Sequence, residues 1–275
     1  MSSNYTYWIN GEFVEATNAT VPLRDVGVLR GYGVFDYLRT YGKAPFHLMD
    51  HLIRLQSSAE QIGLTLPYDL EEIADFTTEL IDLNDKPDVG IRFILTGGVS
   101  SNGFTPPDQS SLAILIEPLT PLSAEAFAKG GKLITSRLQR EFPTVKSTNY
   151  IGAIMAMKEA STAGAIEALY VDHNDEISEC TRSNFFVVQN GVLKTAEKNV
   201  LPGITRQVLL NFAPEVVPVE ITPIFLGDLE QVQEAFITSS TKEVVPIVQV
   251  DDTLIGDGTV GPITTALAQR FKQEV

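Results

Sequence analysis

Thr144-Val-Lys146-Ser-Thr-Asn-Tyr150 sets a lysine just ahead of a predicted helix. A lysine on a rigid mount, with its amine neutral, can attack a carbonyl and hold it as a Schiff base. In Ile177-Ser-Glu179-Cys-Thr-Arg182-Ser-Asn-Phe-Phe186 a glutamate is followed by small polar residues and an apolar strand. That pattern can carry a carboxylate into an interior, to pair with a protonated ring nitrogen. Val200-Leu201-Pro-Gly-Ile204-Thr205-Arg206 leads Pro-Gly into a predicted helix whose first N–H groups can bind phosphate. Thr238-Ser-Ser240-Thr241-Lys-Glu243 is a hydroxyl-rich turn suited to the same anion, and His51-Leu-Ile-Arg54-Leu puts a cation on a helix. Each has a plainer reading alone: a solvated lysine, an edge-strand glutamate, a simple helix start, a polar loop, a surface ion pair. Together they make sense around a phosphorylated carbonyl cofactor.

Taken in chain order, His-x-x-Arg-Leu, Lys-Ser-x-Asn-Tyr, Glu-x-x-x-x-Asn-x-Phe, Leu-Pro-Gly-Ile-Thr-Arg and the Thr/Ser turn with Glu243 and Pro246 resemble the fold-type IV pyridoxal-phosphate enzymes. That family includes branched-chain aminotransferases, D-amino-acid transaminases and aminodeoxychorismate lyases, and the resemblance covers nearly the whole chain. It implies a transaminase that uses pyridoxal 5'-phosphate to move an amino group between an amino acid and a 2-oxo acid. By the same resemblance Lys146 is the Schiff-base lysine and proton shuttle, and Tyr150 stands near it or near the cofactor's phenolic oxygen. Glu179 holds the pyridine nitrogen, Leu201 supports the ring, and Arg54, Ile204, Thr205, Ser240 and Thr241 hold the phosphate. The family fold is α+β, with a smaller N-terminal and a larger C-terminal α/β domain. Its members form homodimers that share active sites.

The substrate-facing stretches depart from two family patterns. Branched-chain enzymes carry a stretch like H-Y-G-x-x-V-F-E-G-I-R and a later Tyr-x-Arg strand. This chain reads Leu29-Arg30-Gly31-Tyr32-Gly33-Val34-Phe35-Asp36-Tyr37-Leu38-Arg39, then Gly90-Ile91-Arg92, so two aromatic walls are expected to be missing. The Arg-x-His pair of bacillar D-amino-acid transaminases is absent from Gly97-Gly-Val-Ser-Ser-Asn-Gly-Phe104. Arg30, Arg92 and Arg182 remain as candidates for the substrate carboxylate, each able to fork onto it. Each also has a structural alternative; Arg92, alternating with Ile91 and Phe93, could face solvent or close an interdomain ion pair. The expectation is a D-amino-acid transaminase acting on D-glutamate or D-alanine with 2-oxoglutarate or pyruvate. A branched-chain enzyme and an aminodeoxychorismate lyase are the alternatives.

The elements that must position these groups are legible in outline. Asn10-Gly11 and Gly42-Lys43 predict hairpin turns. Asp50 is expected to cap a helix running to 62, and a second helix is expected over 69–83. Strands are predicted at 90–96, 112–117, 133–137, 168–172, 176–180, 185–189 and 234–238, with helices over 150–163, from 203 and from Pro262. The two prolines of 118–123 mark a linker between domains 1–117 and 124–275. Gly256-Asp-Gly258-Thr-Val-Gly261 matches a dinucleotide fingerprint, but too little chain follows it for a βαβ unit.

Twenty Lys and Arg against 35 Asp and Glu give a net charge of −15, which argues against nucleic acid or an anionic membrane as partner. Three histidines and one cysteine leave no metal-ligand spacing and no intrachain disulfide. No leader pattern opens the sequence, so the cytoplasm is the expected compartment.

Overall fold

The computed structural model describes residues 5–120 and 122–275. Residues 1–4, where the leader reading begins, and Pro121, inside the expected linker, lie outside the described residues. The chain divides into two compact units: the first runs to Thr120 and takes in Val145–Asn149, and the second holds the rest.

In the first unit, β1 (Thr6–Ile9) and β2 (Glu12–Glu15) turn on Asn10 and Gly11, both at positive φ. Then come α1 (Val26–Arg30), β3 (Gly33–Tyr41) and β4 (Ala44–Pro45), the latter two joined through Gly42 and Lys43, also at positive φ. Next are α2 (Leu48–Gln61), α3 (Leu70–Asn84), β5 (Gly90–Thr96) and β6 (Ser111–Glu117). Asp69 and Glu72 form a reciprocal capping box on α3. For α2 the expected cap moves: the helix starts behind His47, which takes the left-handed conformation, and Asp50 sits in the first turn bonded to the His47 ring at 2.6 Å. There its charge still favours the helix N-terminus.

The strands form an antiparallel sheet in the order β2-β1-β6-β5-β3-β4. Alternate residues of β3, β5 and β6 are buried, so Leu38, Ile91, Phe93, Ile114 and Ile116 pack with Leu52 and Leu55 of α2 and Ile73 and Leu80 of α3. The opposite parity carries Phe35, Tyr37, Arg39, Arg92 and Glu117, all half-buried.

The second unit contains α4 (Ala124–Lys129), β7 (Gly131–Ser136), α5 (Ile151–Thr162), β8 (Glu167–Val171), β9 (Glu176–Cys180), β10 (Asn184–Gln189) and β11 (Val192–Thr195). It continues with α6 (Ile204–Phe212), β12 (Val219–Ile221), β13 (Ile224–Phe225), β14 (Glu234–Ser239), β15 (Glu243–Val250), β16 (Thr253–Leu254) and α7 (Pro262–Phe271). Its strands run β12-β11-β10-β14-β15-β7-β8-β9-β13, and a further pairing of β10 with β9 closes the strands from β10 to β9 into a ring. The closing contact sets Asn184 against Glu179. The long strand β15 has no counterpart among the sequence expectations, because Pro246 lies inside it. A proline has no N–H for the ladder. It is tolerated because β7 begins to pair with β15 only at the next residue, Ile247, where the register also shifts. No described helix is long and apolar enough to cross a membrane.

Candidate active site

Lys146 lies in the short segment that packs with the first unit although its chain neighbours on both sides belong to the second. Main-chain bonds hold it to the start of β3: Phe35 N donates to Lys146 O at 2.9 Å, and Thr148 N to Gly33 O at 2.9 Å. Ser58 of α2 accepts from Lys146 N at 3.2 Å. Gly33 is needed there, because a Cβ would stand 2.7 Å from the Leu95 carbonyl. The backbone is thereby fixed on three sides and the side chain is aimed over Phe35, with Nζ 4.8 Å from the ring centroid.

Phe35 is shared. The Arg92 guanidinium lies 5.7 Å from the same ring and 4.9 Å from that of Tyr37. Arg92 is held by Glu117 through two parallel bonds of 2.8 and 2.9 Å. The ion pair it forms lies within the first unit's sheet and not between domains, and the guanidinium contacts the same Phe35 ring as the amine. Burial, then the charge of Glu117, pushes the Tyr37 phenol up, so it is a protonated donor at neutral pH. Tyr37 also corrects one expectation. A Cβ at Gly90 would meet the Tyr37 hydroxyl at 1.8 Å, so the wall expected to be missing there is supplied by the ring of the neighbouring strand.

On the buried face of the same sheet, Asp36 accepts from the His51 Nδ1 position at 2.6 Å and from Arg54 Nε and Nη2 at 2.8 Å each. His51 and Arg54 lie one turn apart on α2, and Asp36 is fully buried. Burial alone would raise the Asp36 carboxyl, but the Arg54 and His51 charges outweigh it and hold it far below the usual carboxylate range. Burial depresses His51, partly offset by Asp36. The arginine of the His-x-x-Arg motif is thus aimed by an acid that sequence reading passed over. The signal was available: Asp36 shares inward parity with Val34 and Leu38.

The second unit carries the glutamate. Glu179 is buried and accepts from Arg140 Nη1 at 2.6 Å on one oxygen, and from Leu201 N at 3.0 Å and Asn184 Nδ2 at 3.2 Å on the other. Three donors on two oxygens fix its orientation. Arg140 had no place in the sequence reading; it comes from an irregular segment with no motif. Tyr150 ends up at the start of α5, and its phenol is raised chiefly by burial. Leu201 is tied to Glu179 through its own N–H. Gly203 starts α6 with no side-chain cap, and a Cβ on it would fall 2.0 Å from the Asn184 amide oxygen. A larger residue there would have to displace the Asn184 amide that is bonded to Glu179, and the first N–H groups of α6, at Ile204 and Thr205, meet no side-chain cap. Thr241 and Ser240 occupy the turn from β14 to β15, where Glu243 takes positive φ. Of the remaining arginines, Arg30 is exposed at the end of α1 and donates to the Leu29 carbonyl, and Arg182 is exposed between β9 and β10.

A rigidly mounted lysine, an anchored carboxylate and an uncapped helix start are the donor and acceptor set a phosphorylated pyridine aldehyde needs. The family model for amino-transferase class IV matches residues 33–250. The chain belongs to the class IV aminotransferases. A Methanocaldococcus jannaschii protein provisionally named a branched-chain-amino-acid aminotransferase is 35% identical over 272 residues, covering 96% of this chain and 94% of its own. A Listeria monocytogenes D-alanine aminotransferase is 34% identical over 275 residues, covering 97% and 95%. Among solved structures, a T.th. branched-chain amino acid aminotransferase with pyridoxamine 5'-phosphate superposes with a TM-score of 0.91 at 28% identity, over 98% of this chain and 93% of its own. This class IV aminotransferase therefore has the two-domain α+β fold of type IV, uses pyridoxal phosphate, and takes amino acids and 2-oxo acids as substrates.

Proposed function

We propose that this aminotransferase is a D-amino-acid transaminase for small or acidic substrates, exchanging D-glutamate or D-alanine with 2-oxoglutarate or pyruvate. The observation that carries the reading is the sharing of Phe35 by the Lys146 amine and the Arg92 guanidinium. A cation oriented by Glu117 and the Lys146 amine lie against the same ring, on a face that carries Phe35, Tyr37 and Arg39 alongside Ile94 and Leu115. Glu117 weakens the pull of Arg92, and the exposed Arg30 and Arg182 supply further positive charge for a substrate carboxylate.

Bound pyridoxal phosphate supplies an electron sink for the substrate carbon that loses its proton. Lys146 Nζ is the atom that bears the cofactor and moves that proton, with its backbone clamped so that only the side chain travels. Glu179 holds the pyridine nitrogen as an anion kept in place by Arg140, Asn184 and Leu201 N. Tyr150 serves as a neutral hydroxyl for the cofactor's phenolic oxygen or for the lysine. Arg54, steered by Asp36, takes the phosphate with the N–H groups of Ile204 and Thr205 and the hydroxyls of Ser240 and Thr241. Leu201 supports the ring.

Mixed in separate cuvettes, D-glutamate is expected to discharge the visible absorption of the bound cofactor and L-leucine to leave it unchanged. Bleaching by L-leucine alone would sink the D-specific reading. It would instead support a branched-chain enzyme, the second reading, which is favoured by Tyr37 filling the place over Gly90.

We also assign the working form as a homodimer. Ile151, Ile154 and Met155 are 72%, 55% and 59% exposed along one face of α5, and contiguous apolar surface of this kind marks an interface. Light scattering should give twice the chain mass for the wild type and a monomer for Ile154→Glu/Met155→Glu. A monomeric wild type would overturn the assignment.

A further inference from the structure

Besides the groups with roles above, the second unit buries an ion pair between Glu167 at the start of β8 and Lys242 in the turn from β14 to β15. The two are 0% and 5% exposed. Glu167 accepts from Arg182 N at 2.8 Å, Thr181 Oγ1 at 2.9 Å and Ser183 Oγ at 2.6 Å, and from Lys242 Nζ. Lys242 Nζ also donates to Ser183 Oγ at 3.2 Å. Burial alone would raise the Glu167 carboxyl, but Lys242, Ser183 and Arg182 outweigh it and keep it below the usual carboxylate range. One carboxylate therefore gathers donors from two polar turns. Residues 181–183 join β9 to β10, and residues 239–242 join β14 to β15. Both turns lie at the same end of β10, because Asn184 pairs with Glu179 on one side and with Thr238 on the other.

A buried ion pair is weak evidence for stability, because removing two charges from water costs about as much as their attraction returns. What this pair does achieve is a fixed separation. Neither turn can shift without unmaking a bond to Glu167, and one of the two bears Ser240 and Thr241.

We propose that Glu167 and Lys242 are positioning residues that lock the 181–183 turn to the 239–242 turn and so preset the seat for the cofactor's phosphate. The proposal rests on the reading of Ser240 and Thr241 as phosphate ligands. Neither residue touches the cofactor; both act through the turns they tie.

The test compares pyridoxal phosphate with pyridoxal, which lacks the phosphate. Equilibrium dialysis of the holoenzyme, followed by refilling with each compound, gives the ratio of the two affinities for the wild type and for the Glu167→Gln/Lys242→Met double variant. The double variant leaves no charge unpaired and keeps the shapes. It is expected to hold its melting temperature near that of the wild type while the affinity ratio falls roughly tenfold. A merely structural pair would lower the melting temperature, or weaken both compounds alike, and leave the ratio unchanged; either result overturns the proposal. Should the double variant fold poorly, Ser183→Ala removes the hydroxyl common to both partners and is expected to lower the ratio by about threefold, the worth of one hydrogen bond. An unchanged ratio in that variant also overturns the proposal. A wild type that does not distinguish the two compounds would instead strike at the phosphate reading itself.

Discussion

Lys146→Ala abolishes transamination and leaves the first unit folded. The two halves of that expectation come from different atoms of one residue. The Lys146 backbone carries the bonds to Phe35 N and Ser58 Oγ, and its neighbour Thr148 bonds Gly33; none of these involves the side chain. Alanine keeps them all and gives up the contact of Nζ with the Phe35 face, worth about 0.5–1 kcal/mol where solvent reaches. The chemistry has no such reserve. Loss of a positioned proton-transfer group alone slows a reaction roughly 10²–10⁴-fold, and in the proposed role the same nitrogen also bears the cofactor. Turnover of D-glutamate with pyruvate, together with mass spectrometry after borohydride reduction, separates the roles. The wild type should gain the mass of the cofactor irreversibly and the variant should not. If Lys146→Ala keeps more than about a hundredth of the wild-type rate, another amine does the work and the assignment fails.

Asp36→Ala is expected to cost the first unit about 3–5 kcal/mol, because it strands a buried guanidinium that had two bonds to the carboxylate. The chain's single tryptophan, Trp8, lies in the core of that unit, so its fluorescence during urea unfolding reads this loss directly. The pH dependence has a definite sign. Asp36 is depressed in the folded state, so its contribution is present above its unfolded value of about 3.9 and is lost as the pH falls below it. His51 is depressed as well, so the unfolded chain binds the extra proton first, and stability already declines below about pH 6.5. The wild type should therefore soften in two stages on acidification. In Asp36→Ala the lower stage should shrink, since the Asp36 share of it is lost while other depressed carboxylates, Asp85 and Glu167 among them, remain. An unchanged unfolding midpoint in the variant would falsify the account of this cluster.

Local signals were legible where the backbone dictates the residue. Asn10-Gly11 and Gly42 are at the turns because asparagine and glycine tolerate positive φ. The family motifs, spread along the chain, pointed to the lysine, the glutamate and the helix start as candidates before any geometry was known. What remained hidden was the pairing of charges distant in sequence. Glu179 and Arg140 are 39 residues apart, Lys242 and Glu167 are 75 apart, and Arg92 and Glu117 are 25 apart. No periodicity encodes such partners; only the strand order brings them together. The contact of Tyr37 with Gly90 stayed hidden for the same reason, since the ring occupies space above a residue of the adjacent strand. Asp50 shows the converse limit: its type suits a helix start, but His47 could adopt the left-handed turn and began the helix earlier.

The segment Val145–Asn149 completes the first unit after 24 residues, 121–144, have been spent on the second. During synthesis, the Gly33–Phe35 end of β3 therefore waits with its hydrogen-bonding groups open until residue 149 has left the ribosome. An open strand edge of this kind invites pairing with other chains. It also means that neither unit can be separated at the 118–123 junction and remain whole: a fragment ending there keeps the acid, the arginine and the aromatic floor, and loses the amine they serve.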